Sequence, residues 1–211
     1  LVGVVGSDFR KQDRAIFENA QLDTQGIETV EGETFRWVGS YEGSMAQAIT
    51  HETHLNVFEH FEPKVPEHGR NPTVTFCANL HPAIQLSVLD QSKPIRFSIL
   101  DSMNLWIDIA HDTLLEAMKR VDIVVINDGE ASMLAGQENV VAAAKAVQKM
   151  ASIPTLIVKR GEHGVIALHG NEILAMPSYP CPEVVDPTGC GDTFAGALAA
   201  CLASGMGEMT V

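Results

Sequence analysis

Short apolar runs alternate with helical patterns over the last two thirds of the chain. Four runs have the length of a single buried strand, and they lie at 73–78, 95–100, 122–126 and 155–158. Apolar residues at helical spacing separate or follow these runs, at 83–89, 113–120, 140–150 and 193–203. Strands that alternate with helices are typical of a parallel sheet with right-handed crossovers. The pattern therefore predicts an α/β fold, with a terminal hairpin of strands at 164–168 and 173–176.

The first third of the chain has a different pattern. Residues 1–5 predict a strand, and residues 12–25 predict a helix that Gly26 ends. Residues 34–41 and 49–58 then alternate between polar and apolar, which predicts two strands of a small sheet with one exposed face. A proline-marked linker follows at 63–72. We expect three segments, in which residues 1–26 belong to the α/β domain, residues 27–62 form a β lid, and residues 63–211 form the main α/β domain.

Composition and charge exclude several classes of protein. Of the 211 residues, 45% are hydrophobic and 19% are charged, as in a globular domain. The net charge of −13 would repel a nucleic-acid backbone, and no apolar run approaches the ~20 residues that span a bilayer. The four cysteines show no metal-binding or disulfide-scaffold spacing. We expect a reduced, cytoplasmic protein without a nucleic-acid or membrane partner.

Polar residues stand at the ends of three predicted strands. Asp101, Asn127 and Lys159 each follow a buried apolar run. Ligands of open α/β sheets bind at the carboxyl ends of the strands. The sequence therefore predicts one crevice that these three residues face.

The most informative segment is Asp186-Pro187-Thr188-Gly189-Cys190-Gly191-Asp192, which precedes a helix of small residues. Glycines let the backbone turn several N–H groups toward one point, and the helix dipole adds positive potential there. Such a loop suits an anion that gains charge during a reaction. Asp192 would compete with that anion unless it has a task of its own, such as the base beside a phosphoryl acceptor. The plainer interpretation is that Asp192 only caps the helix.

Other nucleotide and hydrolase motifs do not occur. The sequence has no Gly-Lys dipeptide for a P-loop, and Phe194 stands where a dinucleotide fingerprint needs glycine. It also has no Gly-x-Ser-x-Gly nucleophile elbow. His51 and His54 are one residue short of the zinc-protease spacing.

Segment 186–197 resembles the C-terminal signature of the ribokinase/PfkB family of carbohydrate kinases, Asp-x-Thr-Gly-Ala-Gly-Asp before a small-residue helix. Three further segments are similar to family motifs in the same order: Val2–Phe9 to an early Val-Gly-x-x-Gly-x-Asp turn, Asn127–Glu130 to Asn-x-x-Glu, and Gly161–Gly164 to the Gly-x-x-Gly nucleotide turn. Leu100–Trp106 is most similar to a bacterial sugar-kinase subgroup. The likeness covers essentially the whole chain, with Cys190 in place of the usual alanine.

The resemblance implies a three-layer, Rossmann-like (ribokinase-like) fold with a small β-sheet lid, and transfer of the γ-phosphoryl group of Mg·ATP to a sugar hydroxyl. Asp192 is then the general base, and the backbone amides of residues 189–191, which are Gly189, Cys190 and Gly191, form the anion hole. Asn127 and Glu130 are implied to place phosphate and magnesium, with Glu130 acting through water. Residues 63–211 become the nucleotide-binding and catalytic domain.

The resemblance assigns further residues to the two ligands. The nucleotide set adds these residues: Lys159, Gly161, Gly164, Asp186 and Thr188. The acceptor set comprises these residues: Asn79, Asp101, Asn104 and Asp192. A requirement for a monovalent cation and a homodimer formed through the β lid are both compatible with the resemblance.

Two other functions remain open at this stage. The same signature occurs in nucleoside kinases, and a non-catalytic module that senses a nucleotide or sugar would keep the fold, although it would not need Asp192. The predicted first strand already includes Leu1, so we expect a fragment of a longer enzyme. The family's first strand, with its Gly-Gly sugar motif, and its last helices would lie outside residues 1–211. We therefore expect this piece alone to bind its acceptor poorly.

Overall fold

The chain divides after Arg70 into two units in a computed structural model, which describes residues 1–43, 45 and 48–205. The first unit is Leu1–Arg70 and the second begins at Asn71. Residues 1–26 share the first unit with residues 27–62, and the strand at 2–6 pairs within this unit. The assignment of residues 1–26 to the α/β domain stays a prediction. Residues 206–211, at the end of the sequence, lie outside the described residues.

The first unit contains two pairs of strands. Strand β1 (Val2–Gly6) pairs in parallel with β2 (Gly26–Val30), and helix α1 (Lys11–Asn19) connects them. Strand β3 (Arg36–Tyr41) pairs in antiparallel orientation with β4 (Ala48–His54), and every residue of β4 is exposed. This hairpin is the small exposed sheet that the alternating pattern predicts.

The strand predicted over 49–58 is wrong in its second half. Strand β4 ends at His54, and Asn56–His60 form a 3-10 helix. Asn56 has a φ of 51°, in the left-handed region, which a strand does not use. Its Nδ2 donates to the backbone oxygen of Thr34 (2.9 Å), and this side-chain bond fixes the turn. Alternation of polar and apolar residues does not register such a bond.

The second unit is built on a six-stranded sheet with the order β10-β9-β8-β7-β6-β5. Its strands are β5 (Val74–Cys77), β6 (Phe97–Asp101), β7 (Ile123–Asn127), β8 (Thr155–Lys159), β9 (Val165–His169) and β10 (Glu172–Met176). Strands β5 to β8 are parallel, and β9 and β10 form an antiparallel hairpin on β8. Both features agree with the pattern of apolar runs.

Helices connect or follow these strands. They are α2 (Pro82–Gln91), α3 (Asn104–Ile109), α4 (His111–Lys119), α5 (Asp128–Ala135), α6 (Val140–Met150) and α7 (Cys190–Ala203). None of the helices in the described ranges is long and apolar enough to cross a membrane.

Alternate side chains of the parallel strands fill the two faces of the sheet, because successive residues of a strand point to opposite sides. On one face, Leu100, Val124 and Leu156 pack in the same cluster as Leu114 of α4 and Val147 of α6. The opposite face carries a second cluster, formed by these residues: Ile99, Ile123, Val125 and Ile157 with Phe194 and Leu198 of α7. The second unit therefore has three layers, and α7 lies alone on its face among the described helices.

Candidate active site

The three polar strand ends lie at one edge of the sheet. Asp101, Asn127 and Lys159 are the last residues of the adjacent parallel strands β6, β7 and β8. The register pairs Asn127 with Lys159. Lys159 reaches across β7, and its Nζ lies 3.4 Å from Oδ1 of Asp101. The structure thus brings together residues that are up to 58 positions apart in the sequence.

Asp101 and Lys159 form a largely buried ion pair. Asp101 is only 4% exposed, and burial raises the pKa of its carboxyl. The ammonium of Lys159 and the N–H of Ser102, which donates to Asp101 Oδ1 (3.0 Å), act in the opposite direction. The side chain of Lys159 remains 19% exposed. The carboxylate therefore holds an ammonium that still meets solvent.

Asn127 and Glu130 form a reciprocal capping box at the start of α5. The N–H of Glu130 donates to Asn127 Oδ1 (2.8 Å), and the N–H of Asn127 donates to Glu130 Oε2 (2.8 Å). Asn127 Nδ2 also donates to Glu130 Oε1 (2.6 Å). Glu130 is 6% exposed, and burial raises its pKa to about 7 although the N–H of Asn127 opposes this. Both oxygens of Glu130 therefore already accept a hydrogen bond.

The oxygen atoms at this edge of the sheet suit a magnesium ion that is held through water. Nowhere in the described ranges do three His, Cys, Asp or Glu side chains converge on a point that could hold a metal ion. Mg²⁺ prefers oxygen ligands and commonly keeps several waters when few carboxylates are present. The carboxylate of Glu130 and the amide of Asn127 offer such oxygens close to Lys159, whose charge lowers the pKa of Glu130.

The glycine-rich loop turns sharply into helix α7. Asp186 Oδ1 accepts the N–H of Thr188 (2.9 Å), and the side chain and N–H of Thr188 lower the pKa of the Asp186 carboxyl. Gly189 has a φ of 77°, the left-handed conformation that glycine adopts without strain. Helix α7 begins at the next residue, and Asp192 lies exposed in its first turn.

Some backbone N–H groups of this loop donate a hydrogen bond to the loop itself, and others are available. The N–H of Cys190 donates to the oxygen of Pro187 (3.1 Å), and the N–H of Thr193 donates to the oxygen of Gly189 (2.8 Å). The N–H groups of Gly189 and Gly191 have no acceptor among the described residues. Two of the three amides that the sequence assigns to an anion hole are therefore available, and that of Cys190 is occupied.

The loop meets the strand ends at Gly191. A Cβ atom built on Gly191 would lie 3.0 Å from Nζ of Lys159. The charge of Asp192 also contributes to the raised pKa of Asp101. Asp101, Lys159, Gly191 and Asp192 consequently form one cluster, although they come from β6, β8 and α7.

Gly161 and Gly164 shape a tight turn between β8 and β9. Their φ angles are 53° and 83°, both in the region that favours glycine. The N–H of Arg160 donates to the oxygen of Gly164 (2.8 Å), and the N–H of Gly164 donates to the oxygen of Gly161 (3.1 Å). The turn follows directly after Lys159.

The remaining predicted acceptor residues have different surroundings. Asn79 Oδ1 accepts Nε1–H of the buried Trp106 (2.8 Å), whose ring meets His81 edge-on with centroids 5.1 Å apart. Asn104 is the exposed first residue of α3. Within the described chain, neither asparagine contacts Lys159 by a hydrogen bond.

Gln85 links two strand ends at the site, and the sequence does not identify it as a site residue. Its side chain is 1% exposed, and its Nε2 donates to the backbone oxygens of Ala78 (2.8 Å) and Asp101 (2.9 Å), with a longer contact to Cys77 (3.4 Å). It therefore ties the carboxyl end of β5 to that of β6. The only signal in the sequence is a glutamine within the apolar stretch 83–89.

Comparison with known proteins gives a family. A sequence model described as pfkB family carbohydrate kinase matches residues 1–208. The cytidine kinase of Thermococcus kodakarensis is 30% identical over an alignment of 203 positions, which covers 93% of this chain and 70% of that protein.

Solved structures show the same fold. An E. coli protein assigned as ribokinase II, solved with ATP and Mg²⁺, superposes with a TM-score of 0.78 at 20% identity, over 99% of this chain and 70% of the other. A Burkholderia thailandensis nucleoside kinase in complex with inosine superposes with a TM-score of 0.74 at 18% identity, over 97% and 66%. The ribokinase-like α/β fold predicted from the sequence is confirmed. The chain spans about two thirds of the length of these proteins.

Proposed function

The chain belongs to the pfkB family of carbohydrate kinases, and on that basis we propose that it transfers the γ-phosphoryl group of Mg·ATP to a carbohydrate hydroxyl. The observation that carries the proposal is the cluster at the start of α7. There the carboxylate of Asp192, the ammonium of Lys159 and the N–H of Gly191, which has no acceptor among the described residues, lie in one region. A base, an N–H donor and a cation are the groups that phosphoryl transfer to an alcohol needs.

Asp192 is the general base of this proposal. Its carboxylate is exposed in the first turn of α7, so an acceptor hydroxyl can reach it. The carboxylate takes the hydroxyl proton as the acceptor oxygen attacks the γ-phosphorus; the bond from that phosphorus to the β–γ bridging oxygen breaks, and ADP leaves. The N-cap of α7 is Gly189 and not Asp192, and no side-chain capping bond occurs among the described residues; this supports a role for Asp192 other than the usual helix cap.

The loop stabilises charge on the transferring group. The N–H groups of Gly189 and Gly191 are available to an anion, and the positive end of the α7 dipole adds to their effect. Loss of one such donor typically costs about 2.7–4 kcal/mol of transition-state stabilisation.

Asn127 and Glu130 would hold the magnesium of Mg·ATP through water in this proposal. When bound, the magnesium would neutralise charge on the phosphates. The capping box keeps both side chains at the end of β7. The turn at Gly161–Gly164 borders the nucleotide, and Asp186 and Thr188 shape the glycine-rich loop. Asn79 and Asn104 stay predictions for the acceptor.

Nucleoside phosphorylation is the second candidate. The observation that favours it is the 30% identity with a cytidine kinase over 93% of this chain. A nucleoside carries its hydroxyls on a ribose ring, so the same base and the same loop would serve both acceptors. A cytoplasmic location is part of both proposals, and the monovalent cation and the lid-mediated dimer stay predictions.

The experiment that separates these functions is a panel of sugars and nucleosides with Mg·ATP, in which ADP release and the phosphorylated product are both measured. Turnover with a free sugar supports the first candidate, and turnover only with nucleosides supports the second. A folded protein that binds ATP and phosphorylates no acceptor would instead support a non-catalytic sensing module.

A further inference from the structure

We propose that the ammonium of Lys159 binds the transferring γ-phosphoryl group, and that Asp101 is a positioning residue which holds this ammonium against the start of α7. The inference rests on the proposed kinase function and deepens it. The family resemblance assigns Lys159 to the nucleotide as a whole, and the inference assigns it to the γ-phosphate. The resemblance assigns Asp101 to the acceptor, and the inference assigns it to the support of Lys159.

The position of Lys159 is the first observation. Its Nζ lies 3.4 Å from Asp101 Oδ1 on one side. On the other side, Gly191 is so close that a Cβ atom there would be 3.0 Å from Nζ. The N–H of Gly191 is one of the two available donors of the loop. An anion bound at this N–H would therefore lie near the ammonium of Lys159 as well.

The ammonium of Lys159 has more hydrogen-bond donors than it uses in the described structure. A lysine ammonium carries three N–H donors, and the contact with Asp101 is the one hydrogen bond of Nζ within the described residues. The side chain is partly exposed, so solvent or a ligand reaches it. Lysine binds phosphate as a compact point charge, and hydrogen bonds between charged groups are the strong ones.

Charge balance also requires a cation here. Asp101, Glu130 and Asp192 surround the site, and each would repel a triphosphate. Lys159 is the basic side chain whose charge acts on both Asp101 and Glu130 in the described structure. Without it, the N–H donors of the loop would face an anion among three carboxyl groups.

Asp101 is suited to position Lys159 and unsuited to bind an acceptor. It is buried, and its Oδ1 accepts the N–H of Ser102 as well as the ammonium. Its backbone oxygen accepts Nε2 of Gln85 (2.9 Å), which fixes the end of β6. A carboxylate held in this way fixes the ammonium in turn, because a buried carboxylate needs a partner of opposite charge.

The inference predicts a difference between ATP and ADP. ADP lacks the γ-phosphoryl group, which Lys159 and the N–H groups of the loop bind in this proposal, whereas contacts with the adenosine and the other two phosphates are common to both nucleotides. We expect Lys159→Met to weaken binding of a non-hydrolysable Mg·ATP analogue about tenfold or more, to change Mg·ADP binding less than about twofold, and to lower kcat about 10²–10³-fold. Lys159→Arg, which keeps the charge, should retain most of the preference for the ATP analogue.

The Lys159→Met variant leaves Asp101 buried and without its cationic partner, so a second variant is needed. Lys159→Met combined with Asp101→Asn removes both charges, and circular dichroism reports whether it folds. The unmodified protein and each variant are then titrated calorimetrically with the ATP analogue and with ADP, which measures whether Lys159 binds the γ-phosphate. Asp101→Asn alone should weaken the ATP analogue less than Lys159→Met, and the two effects should not add in the double variant, because they act on one interaction.

The inference is wrong if a folded double variant prefers the ATP analogue as strongly as the unmodified protein does. It is also wrong if ATP analogue and ADP weaken equally, because Lys159 would then act on a shared part of the nucleotide or on the fold. Nucleotide titration remains decisive if the unmodified protein binds ATP yet phosphorylates no acceptor. In that case the proposed function fails, and the role of Lys159 in binding the γ-phosphate is judged separately.

Discussion

Gly191 at the start of α7 and Lys159 at the end of β8 lie in direct apposition, with 3.0 Å between Nζ and the position that a Cβ on Gly191 would take. Because the φ of Gly191 is not in the left-handed region, its requirement for glycine comes from this neighbour and not from the backbone. The pair links the loop that would bind phosphate to the cation at the strand ends.

Gly191→Val is therefore expected to lower turnover strongly and to leave the fold intact. The added side chain meets the end of a flexible lysine, so a shift of that side chain, and not of the backbone, relieves the clash. Displacement of one charged donor from the loop corresponds to about a 10²-fold or larger fall in kcat. Steady-state kinetics of the variant, with circular dichroism for folding, measures this.

Gly196→Ala is the matched control, because it lies in the same helix and an added Cβ has open space. It should keep full activity and gain about 0.5–1 kcal/mol of stability. Phosphoryl transfer at the normal rate by a folded Gly191→Val protein would contradict the account of the loop.

The two turn glycines should differ sharply in their tolerance of alanine. Both have positive φ, but a Cβ on Gly161 has open space, whereas one on Gly164 would overlap the backbone of Met176 and Pro177. Gly161→Ala should cost about 1–2 kcal/mol of unfolding free energy. Gly164→Ala should cost about 3 kcal/mol or more, because the overlap adds to the strain. Equal losses of unfolding free energy for the two variants in chemical denaturation would contradict this conformation of the turn.

The unfolding free energy should fall as the pH rises from about 4.5 to about 7. Burial raises the pKa of Glu130 from 4.5 to about 7, so the folded protein keeps a proton that the unfolded chain has lost. The contribution is complete below pH 4.5 and disappears as the pH passes 7, with a magnitude of about 3 kcal/mol. Asp101, whose pKa burial also raises, acts in the same direction.

Glu130→Gln should flatten this dependence, since glutamine does not ionise. Urea denaturation between pH 4.5 and 7.5 in buffer without magnesium measures the slope for both proteins. Glu138→Gln, at an exposed position, is the control and should leave the slope unchanged. An undiminished slope in Glu130→Gln would assign the titration to another group.

Gln85→Met is expected to destabilise the second unit. The substitution keeps the size of the side chain and leaves the oxygens of Ala78 and Asp101 without their donor. Each buried group left unpaired costs about 1–3 kcal/mol. Gln148→Met, which removes one long contact of 3.5 Å at an exposed site, should change the unfolding free energy by less than about 0.5 kcal/mol. Similar values for the two variants would contradict the role given to Gln85.

The sheet could be predicted from the sequence, because each buried strand is a local run of apolar residues. Strands β5 to β8 and the hairpin of β9 and β10 lie within a few residues of their predicted positions. The capping box at Asn127 and Glu130 is equally local, since three residues separate its members.

Features that depend on distant contacts could not be predicted. The 3-10 helix at Asn56–His60 depends on a bond to Thr34, and the clamp made by Gln85 depends on backbone atoms of two strands. The approach of Lys159 to Gly191 combines positions 32 residues apart that only the fold brings together. Strand-end residues predicted a common edge, but not which of them pair.

The central claim is that Asp192 takes the acceptor proton, and Asp192→Asn tests it most directly. The amide keeps the shape of the side chain but cannot act as a base. With the acceptor found by the panel, kcat should fall about 10²–10⁴-fold, while calorimetry should find Mg·ATP binding within about twofold of the unmodified protein. Asp112→Asn, at a fully exposed position of α4, should leave kcat unchanged. An Asp192→Asn protein that phosphorylates the acceptor as fast as the unmodified one would contradict the account.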